Sequence, residues 1–499
     1  MGPLTGADVE KHNSKDNCWV IIHGEAYDVT EFLPEHPGGP KIILKYAGKD
    51  ATDAYDPIHP PGTIQQYLPT SKHLGKVDMS TIAKIEKTVD PEEASRLERI
   101  KNLPSLATVL NLYDFEALAR HTLPAPAWAY YSSGSDDEIT MRENRSAWQR
   151  IWFRPRILRN VKTIDYSTTM LGTKCQLPVY ITATALGKLG HKDGEVNLTR
   201  GAAEQGIIQM IPTLASCSFD EIRDAAVDGQ TQWMQLYVNG DREITKKLVQ
   251  HAEKRGIKGL FITVDAPQLG RREKDMRLKF VDEGSDVQRG KQTVDTSQGA
   301  ARAISSFIDP SLCWDDIKWF KSITKMPIVL KGVQCWEDAV LAAEAGVQGI
   351  VLSNHGGRQL DNARSGIEIL PEVVEALEIR GLRRPDFEIY VDGGVRRGAD
   401  ILKAIALGAK GVGIGRSFLY AYSCYGPEGV IRAVQILKDE IEMDMRLLGA
   451  PTIADVTREM VDISSLGNKQ MEGHRDWLAS RSYAPLTGVG LQAGLKPKL

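Results

Sequence analysis

Between residues 178 and 415 one unit recurs eight times: a short apolar run, a Gly or polar turn, then an amphipathic helical stretch. The runs fall at 178–182, 207–211, 232–237, 259–265, 327–332, 349–355, 388–393 and 411–415. Near-continuous apolar strands alternating with helices specify a parallel sheet buried on both faces. Eight units in one stretch match a closed α/β barrel of the (β/α)8 TIM type better than an open doubly wound sheet, which stays the alternative. The open sheet's usual Gly-x-Gly-x-x-Gly turn after a first strand is missing.

The flanks differ in composition. Residues 1–80 are rich in His, Pro and aromatics, with short alternating runs such as Cys18 to Ile22 and Ala26 to Val29. Residues 81–108 are mostly charged and small, including Lys84, Glu86, Asp90, Glu93 and Arg99, and read as a solvated linker with a helical turn or two. The barrel is expected over 109–470, with a tail at 471–499. Between the fourth and fifth runs, 281–303 is polar and almost free of apolar anchors, so a mobile loop on the catalytic face is expected there.

Charge narrows the partners. The net charge is -3 with the signs interspersed, which gives no sign of the concentrated basic field that nucleic acid or an anionic membrane surface requires. No apolar run approaches the roughly 20 residues that span a bilayer. Six cysteines (Cys18, Cys175, Cys217, Cys313, Cys335 and Cys424) are scattered without a Cys-x-x-Cys pair. They read as buried thiols of a reducing compartment.

In the N-terminal stretch, His36 opens His36-Pro37-Gly38-Gly39, and His59 lies in Ile58-His59-Pro60. Two neutral imidazoles across an apolar slot can fill both axial positions of a haem iron, giving a site that passes single electrons. Phe32-Leu33 and Ile42-Ile43-Leu44 supply the apolar surroundings. Residues 5–80 resemble the cytochrome b5 family, which implies a small α+β domain with a b-type haem held by His36 and His59. His12, His23 and His73 match nothing in that pattern, and surface or turn roles are expected for them.

In the repeat, His355 and Arg358 follow the sixth run in Ser353-Asn354-His355-Gly356-Gly357-Arg358. Strand C-terminal ends carry the chemistry of such barrels. There Arg358 can grip a carboxylate while His355 takes a proton; a His in a structural turn is the plainer alternative. Asp265 ends the fourth run and could orient His355, or simply cap a helix. Lys331 ends the fifth; a buried lysine calls for an anion, such as the charge near N1 of a reduced flavin. Asp392-Gly393-Gly394-Val395-Arg396 and Gly413-Ile414-Gly415-Arg416 follow the last two runs. Glycines let backbone N–H groups approach a phosphate that arginines neutralise, which suits an FMN-sized mononucleotide.

Together these motifs resemble the FMN-dependent family that oxidises 2-hydroxy acids, over about residues 109–470. Combined with the haem module, they resemble the fungal family of L-lactate:cytochrome c oxidoreductases. The resemblance implies oxidation of L-lactate or a similar short 2-hydroxy acid, with electrons passing from FMN through haem to cytochrome c. By residue match it implies His355 as base with Asp265 as partner. Tyr130 and Arg358 would hold the carboxylate, Tyr237 the substrate hydroxyl, and Arg272 would be a second arginine over the site. Ala185 and Leu214 would flank the substrate's side chain. The flavin would meet Ala183, Thr184, Ala185, Gln235, Thr263 and Lys331, with Asp392, Gly394, Arg396, Gly415 and Arg416 towards its phosphate. Pro212 stands where the family usually has Ser or Thr near the ring, and a proline donates no hydrogen bond.

The same resemblance implies a homotetramer in the mitochondrial intermembrane space, although no presequence is visible, which leaves the cytoplasm as the alternative. Two rivals stay open: an oxidase that gives its electrons to oxygen, and a haem electron carrier on an inert barrel.

Overall fold

The computed structural model describes residues 3–36, 40–59, 62–82, 91–279 and 308–468. The expected loop at 281–303, the tail at 471–499 and Pro37 to Gly39 lie outside the described residues.

The eight apolar runs form eight parallel strands: β1 (Val179–Ile181), β2 (Ile208–Ile211), β3 (Gln232–Leu236), β4 (Leu260–Thr263), β5 (Ile328–Val333), β6 (Gly349–Leu352), β7 (Glu388–Asp392) and β8 (Gly411–Ile414). β8 pairs with β1 and closes the barrel, which removes the open-sheet alternative. Burial on both faces explains the continuous hydrophobicity. Tyr180, Trp233, Phe261, Val329, Val351 and Tyr390 fill the interior, while residues such as Ile181, Leu236, Ile262 and Leu352 pack outward on the helices. A hairpin of Thr168–Met170 and Thr173–Cys175 contributes Met170 and Cys175 to the same interior cluster. Several strands stop short of the sequence expectation. β4 ends before Asp265 and β6 before His355, because these polar residues leave the ladder, His355 to line the cleft and Asp265 to bond it from behind.

Helices Leu112–Thr122, Ala125–Ser132 and Ile139–Gln149 precede the barrel and supply part of the cleft. The charged stretch before them departs from expectation. Pro91–Lys101 is a helix of 11 residues, about three turns rather than one or two. Arg96 and Arg99 donate to the carbonyls of Thr122 and His121, so polar bonds rather than apolar anchors hold it to the next helix.

The N-terminal module is a five-stranded sheet in the order Leu4–Thr5, His73–Asp78, Glu25–Asp28, Asn17–Ile22, Asn13–Ser14. Alternation along Asn17–Ile22 separates two small cores. Cys18, Val20 and Ile22 pack with Leu33, Ala51 and Leu68 on one face; Ile21 packs with Val9, Ala26 and Val77 on the other. All six cysteines are free thiols, but only Cys18, Cys175 and Cys217 are fully buried. Cys313 is exposed and Cys335 and Cys424 are partly so, which corrects the expectation of uniform burial. Among the described residues, no helix is long and apolar enough to cross a membrane.

Candidate functional site

A cleft of about 1410 Å³, open solvent at its mouth included, lies at the C-terminal ends of the strands. The barrel residues expected at the site line it, from Tyr130 to Arg416, with Asp265 set behind His355.

Asp265 is wholly buried and accepts a 2.9 Å hydrogen bond from His355 Nδ1. That bond places the ring proton on Nδ1 and leaves Nε2 as the acceptor, which receives the Tyr237 hydroxyl at 3.1 Å. His355 sits at φ +60, a strained conformation for a non-glycine residue that its surroundings must hold. Ser353 helps by accepting the His355 backbone N–H at 3.0 Å. Burial lowers the His355 pKa; the charge and hydrogen bond of Asp265 oppose this, and Lys331 and Arg272 add to the lowering, so the ring is neutral near pH 7. For Asp265, burial acts upward but His355 and Lys331 outweigh it, and its pKa is lowered. The pair is a neutral base backed by a carboxylate.

The same cleft holds two arginines. Arg358 stands 4.9 Å from the Tyr130 ring centre and donates to the Tyr130 carbonyl at 2.7 Å. Arg272 is buried with its Nε lacking a hydrogen-bond partner. Burial and then Arg358 bring its pKa down to about 10. Two guanidinium groups in one buried cleft favour an anion between them, and a substrate carboxylate suits that charge.

The remainder fits a flavin mononucleotide. Lys331 lies 3.3 Å from Asp392 and 3.2 Å from the Ser353 hydroxyl. Burial works against its charge, but Asp392 and Asp265 prevail, so its pKa is raised and it stays cationic. Gln235 donates to Thr263 at 2.9 Å, linking β3 to β4. The hydroxyls of Thr182 and Thr184 and one oxygen of Asp392 are buried without partners, which a ring and ribityl chain with polar atoms would satisfy. Gly394 has φ +78, and a Cβ there would come 1.8 Å from the Asn144 carbonyl oxygen, so only glycine fits that turn.

Arg396 is ion-paired with Glu116 at 2.9 Å and donates to Ser417 at 2.6 Å. Arg416 donates to the carbonyls of Tyr131, Gly356 and Ser133 at 2.8–2.9 Å, and each terminal nitrogen retains one further N–H. Pro212 lines the cleft. Next to it, Thr213 turns both its backbone N–H and its hydroxyl to Gln235.

Sequence reasoning missed Glu116, Asn144, Arg145 and Tyr420, which also line the cleft. Glu116, Asn144 and Arg145 lie on helices before the repeat, where they look like ordinary polar helix positions. The only available signal was that an Arg facing a phosphate site needs a balancing carboxylate in its apo surroundings.

In the N-terminal module the rings of His36 and His59 face each other with centroids 6.1 Å apart. Metal–imidazole bonds of about 2 Å on each side, plus roughly 1 Å from each nitrogen to its ring centre, require a similar spacing. Tyr55 stacks on His59 at 4.2 Å, and its backbone carbonyl accepts a hydrogen bond from His59 Nδ1 at 3.0 Å, leaving Nε2 to ligate. Burial lowers the His59 pKa, which keeps the ring neutral. Phe32, Leu33, Ile43, Ile64 and Leu68 supply apolar walls. His23, by contrast, sits in a turn at φ +52 and pairs with Asp56. His12 stacks on Trp19, and His73 bonds the Leu68 carbonyl.

With this geometry in place, comparison with known proteins is direct. The FMN-dependent dehydrogenase family matches residues 119–463, and the cytochrome b5-like heme/steroid binding domain matches residues 5–78. The chain belongs to the flavocytochrome b2 family. The L-lactate dehydrogenase (cytochrome) of Wickerhamomyces anomalus is 57% identical over 493 residues, covering 99% of this chain and 86% of that protein. Its counterpart in Saccharomyces cerevisiae is 52% identical over 495 residues, covering 96% and 83%. A flavocytochrome b2 variant solved with pyruvate bound is 51% identical, covers 81% of this chain and all of that one, and superposes with a TM-score of 0.72. FMN and haem are the cofactors of this flavocytochrome b2 member.

Proposed function

We propose that this chain oxidises L-lactate to pyruvate and delivers the electrons to cytochrome c. The observation that carries the reading is the presence, in one cleft, of the His355–Asp265 pair and the Arg358–Tyr130 pair. A small acid bound between them exposes its hydroxyl-bearing carbon to a neutral base. Bound FMN supplies the two-electron acceptor and bound haem the one-electron relay.

The chain's own residues do the rest. Arg358 and Tyr130 hold the carboxylate, and Arg272 adds a second positive charge. Tyr237 bonds the substrate hydroxyl, and His355 Nε2 takes a proton while Asp265 stabilises the imidazolium that forms. Ala183, Thr184, Ala185, Gln235, Thr263 and Lys331 would hold the flavin. Asp392, Gly394, Arg396, Gly415 and Arg416 would hold its ribityl phosphate, and His36 and His59 the iron. Leu214 and Ala185 would flank the substituent on the hydroxyl-bearing carbon, which suits a methyl group. A homotetramer in the intermembrane space completes the proposal, supported by the relatives' identity as cytochrome-type lactate dehydrogenases; light scattering of the purified protein tests the assembly.

The experiment is a visible spectrum of the purified protein before and after L-lactate, followed by cytochrome c reduction. Flavin bleaching with appearance of reduced haem bands is expected. His59→Ala should retain flavin reduction by L-lactate and lose cytochrome c reduction. Fast oxygen uptake that His59→Ala leaves unchanged would favour an oxidase. A spectrum without flavin would favour the inert barrel.

A further inference from the structure

Ala185 and Leu214 sit on the loops after β1 and β2, and both line the cleft. Behind these loops stands Glu195, fully buried and outside the cleft lining. It occupies the position before helix Val196–Gln205, yet its side chain makes no capping bond to that helix. The carboxylate turns to the loops instead. One oxygen accepts the backbone N–H of Gly187 at 2.8 Å and of Ser216 at 3.0 Å. The other accepts the Cys217 N–H and the Ser216 hydroxyl, both at 3.1 Å. A single carboxylate oxygen therefore joins the loop bearing Ala185 to the loop bearing Leu214.

Three further observations make this a setting device rather than a passive fit. Leu186, between Ala185 and Gly187, has φ +59, a conformation a branched residue holds only when its neighbours over-determine it. A Cβ on Gly187 would lie 2.8 Å from the Glu195 carboxyl carbon, so the carboxylate is packed directly on the loop backbone. The Lys188 N–H donates to the Ser216 hydroxyl at 2.7 Å, a second strap between the same loops.

We infer that Glu195 is a positioning residue for substrate selectivity: it sets the gap between Ala185 and Leu214, and through it the size of substituent accepted on the hydroxyl-bearing carbon. The inference rests on the proposed oxidation of 2-hydroxy acids. Glu195→Gln replaces one acceptor oxygen by an N–H donor, so in either amide orientation at least one loop N–H faces donor against donor and its loop moves away.

The test uses the holoenzyme and its Glu195→Gln variant with L-lactate, L-2-hydroxybutyrate and L-mandelate. The variant should raise kcat/KM for mandelate relative to lactate by about fivefold or more, mainly through KM. Binding of benzoylformate relative to pyruvate, read from the flavin spectrum, should tighten in the same sense. A merely structural role would lower Tm and scale all substrates alike; an unchanged ratio overturns the inference. Ser216→Ala keeps Glu195 but cuts both hydroxyl bonds, and should shift the ratio in the same direction. If Glu195→Gln does not fold, an unchanged ratio in Ser216→Ala overturns the inference. Wild-type enzyme without 2-hydroxy acid turnover defeats the proposed function itself. Turnover indifferent to substituent size defeats the assignment of Ala185 and Leu214, and this inference with it.

Discussion

Asp265 and His355 are 90 residues apart in the chain and 2.9 Å apart in space. The bond joins the end of β4 to the end of β6, and it decides which nitrogen of His355 faces the cleft. The pH behaviour follows. Burial, aided by Lys331 and Arg272, lowers the His355 pKa despite Asp265. The acid limb of kcat/KM should therefore fall below the usual histidine value of about 6.5. Asp265→Asn removes the one influence that raises the pKa, so the limb should move to still lower pH, while kcat drops by about 10²–10⁴ through the wrong tautomer. A limb that moves upward in Asp265→Asn would contradict this.

His355→Gln should abolish flavin reduction by L-lactate while both cofactors stay bound, because the replaced ring touches Tyr237 and Asp265 and holds neither cofactor. Stopped-flow absorbance of the flavin reads this directly. Turnover within tenfold of wild type, a difference of about 1.4 kcal/mol in the activation barrier, would remove His355 from the role of base.

Lys331→Met removes the cation between the buried carboxylates of Asp392 and Asp265. Leaving buried charge uncompensated costs about 3–5 kcal/mol. Lower Tm and loss of FMN are expected, with haem content unaffected. Flavin-to-haem ratio after gel filtration is the measurement, and a ratio equal to wild type at unchanged Tm would refute the assignment.

Gly394→Ala should likewise release FMN, since its Cβ would collide with the Asn144 carbonyl. Gly229→Ala is the matched control. Its φ of +77 is close to the +78 of Gly394, yet no atom lies within 4 Å of its Cβ. The control should show only the modest cost of backbone strain, about 1–2 kcal/mol. Equal loss of flavin in both variants would mean strain, not the cradle, is responsible.

The eight strands were legible because each is buried on both faces and so writes its hydrophobicity continuously into the chain. The candidate site was legible for a related reason: His355, Asp265, Lys331 and Asp392 are polar residues at the ends of apolar runs, where their cost demands a purpose. Boundaries were less legible. The runs at 259–265 and 349–355 continue past β4 and β6, because apolar patterning does not mark where a strand turns towards a cleft. The linker helix was under-read because its attachment uses arginine-to-carbonyl bonds, which leave no apolar stripe.

By itself, then, the sequence determined the repeat, the two-part organisation and the pair of histidines suited to an iron, since all three depend on local spacing. Tertiary structure alone decided closure of β8 on β1, the pairing of Glu116 with Arg396, and the bridge from Glu195 to two loops. Such contacts join backbone and side chains with no fixed spacing in the chain. A hydrogen bond or ion pair of that kind has no period and no neighbouring pattern, so only the folded arrangement brings it into view.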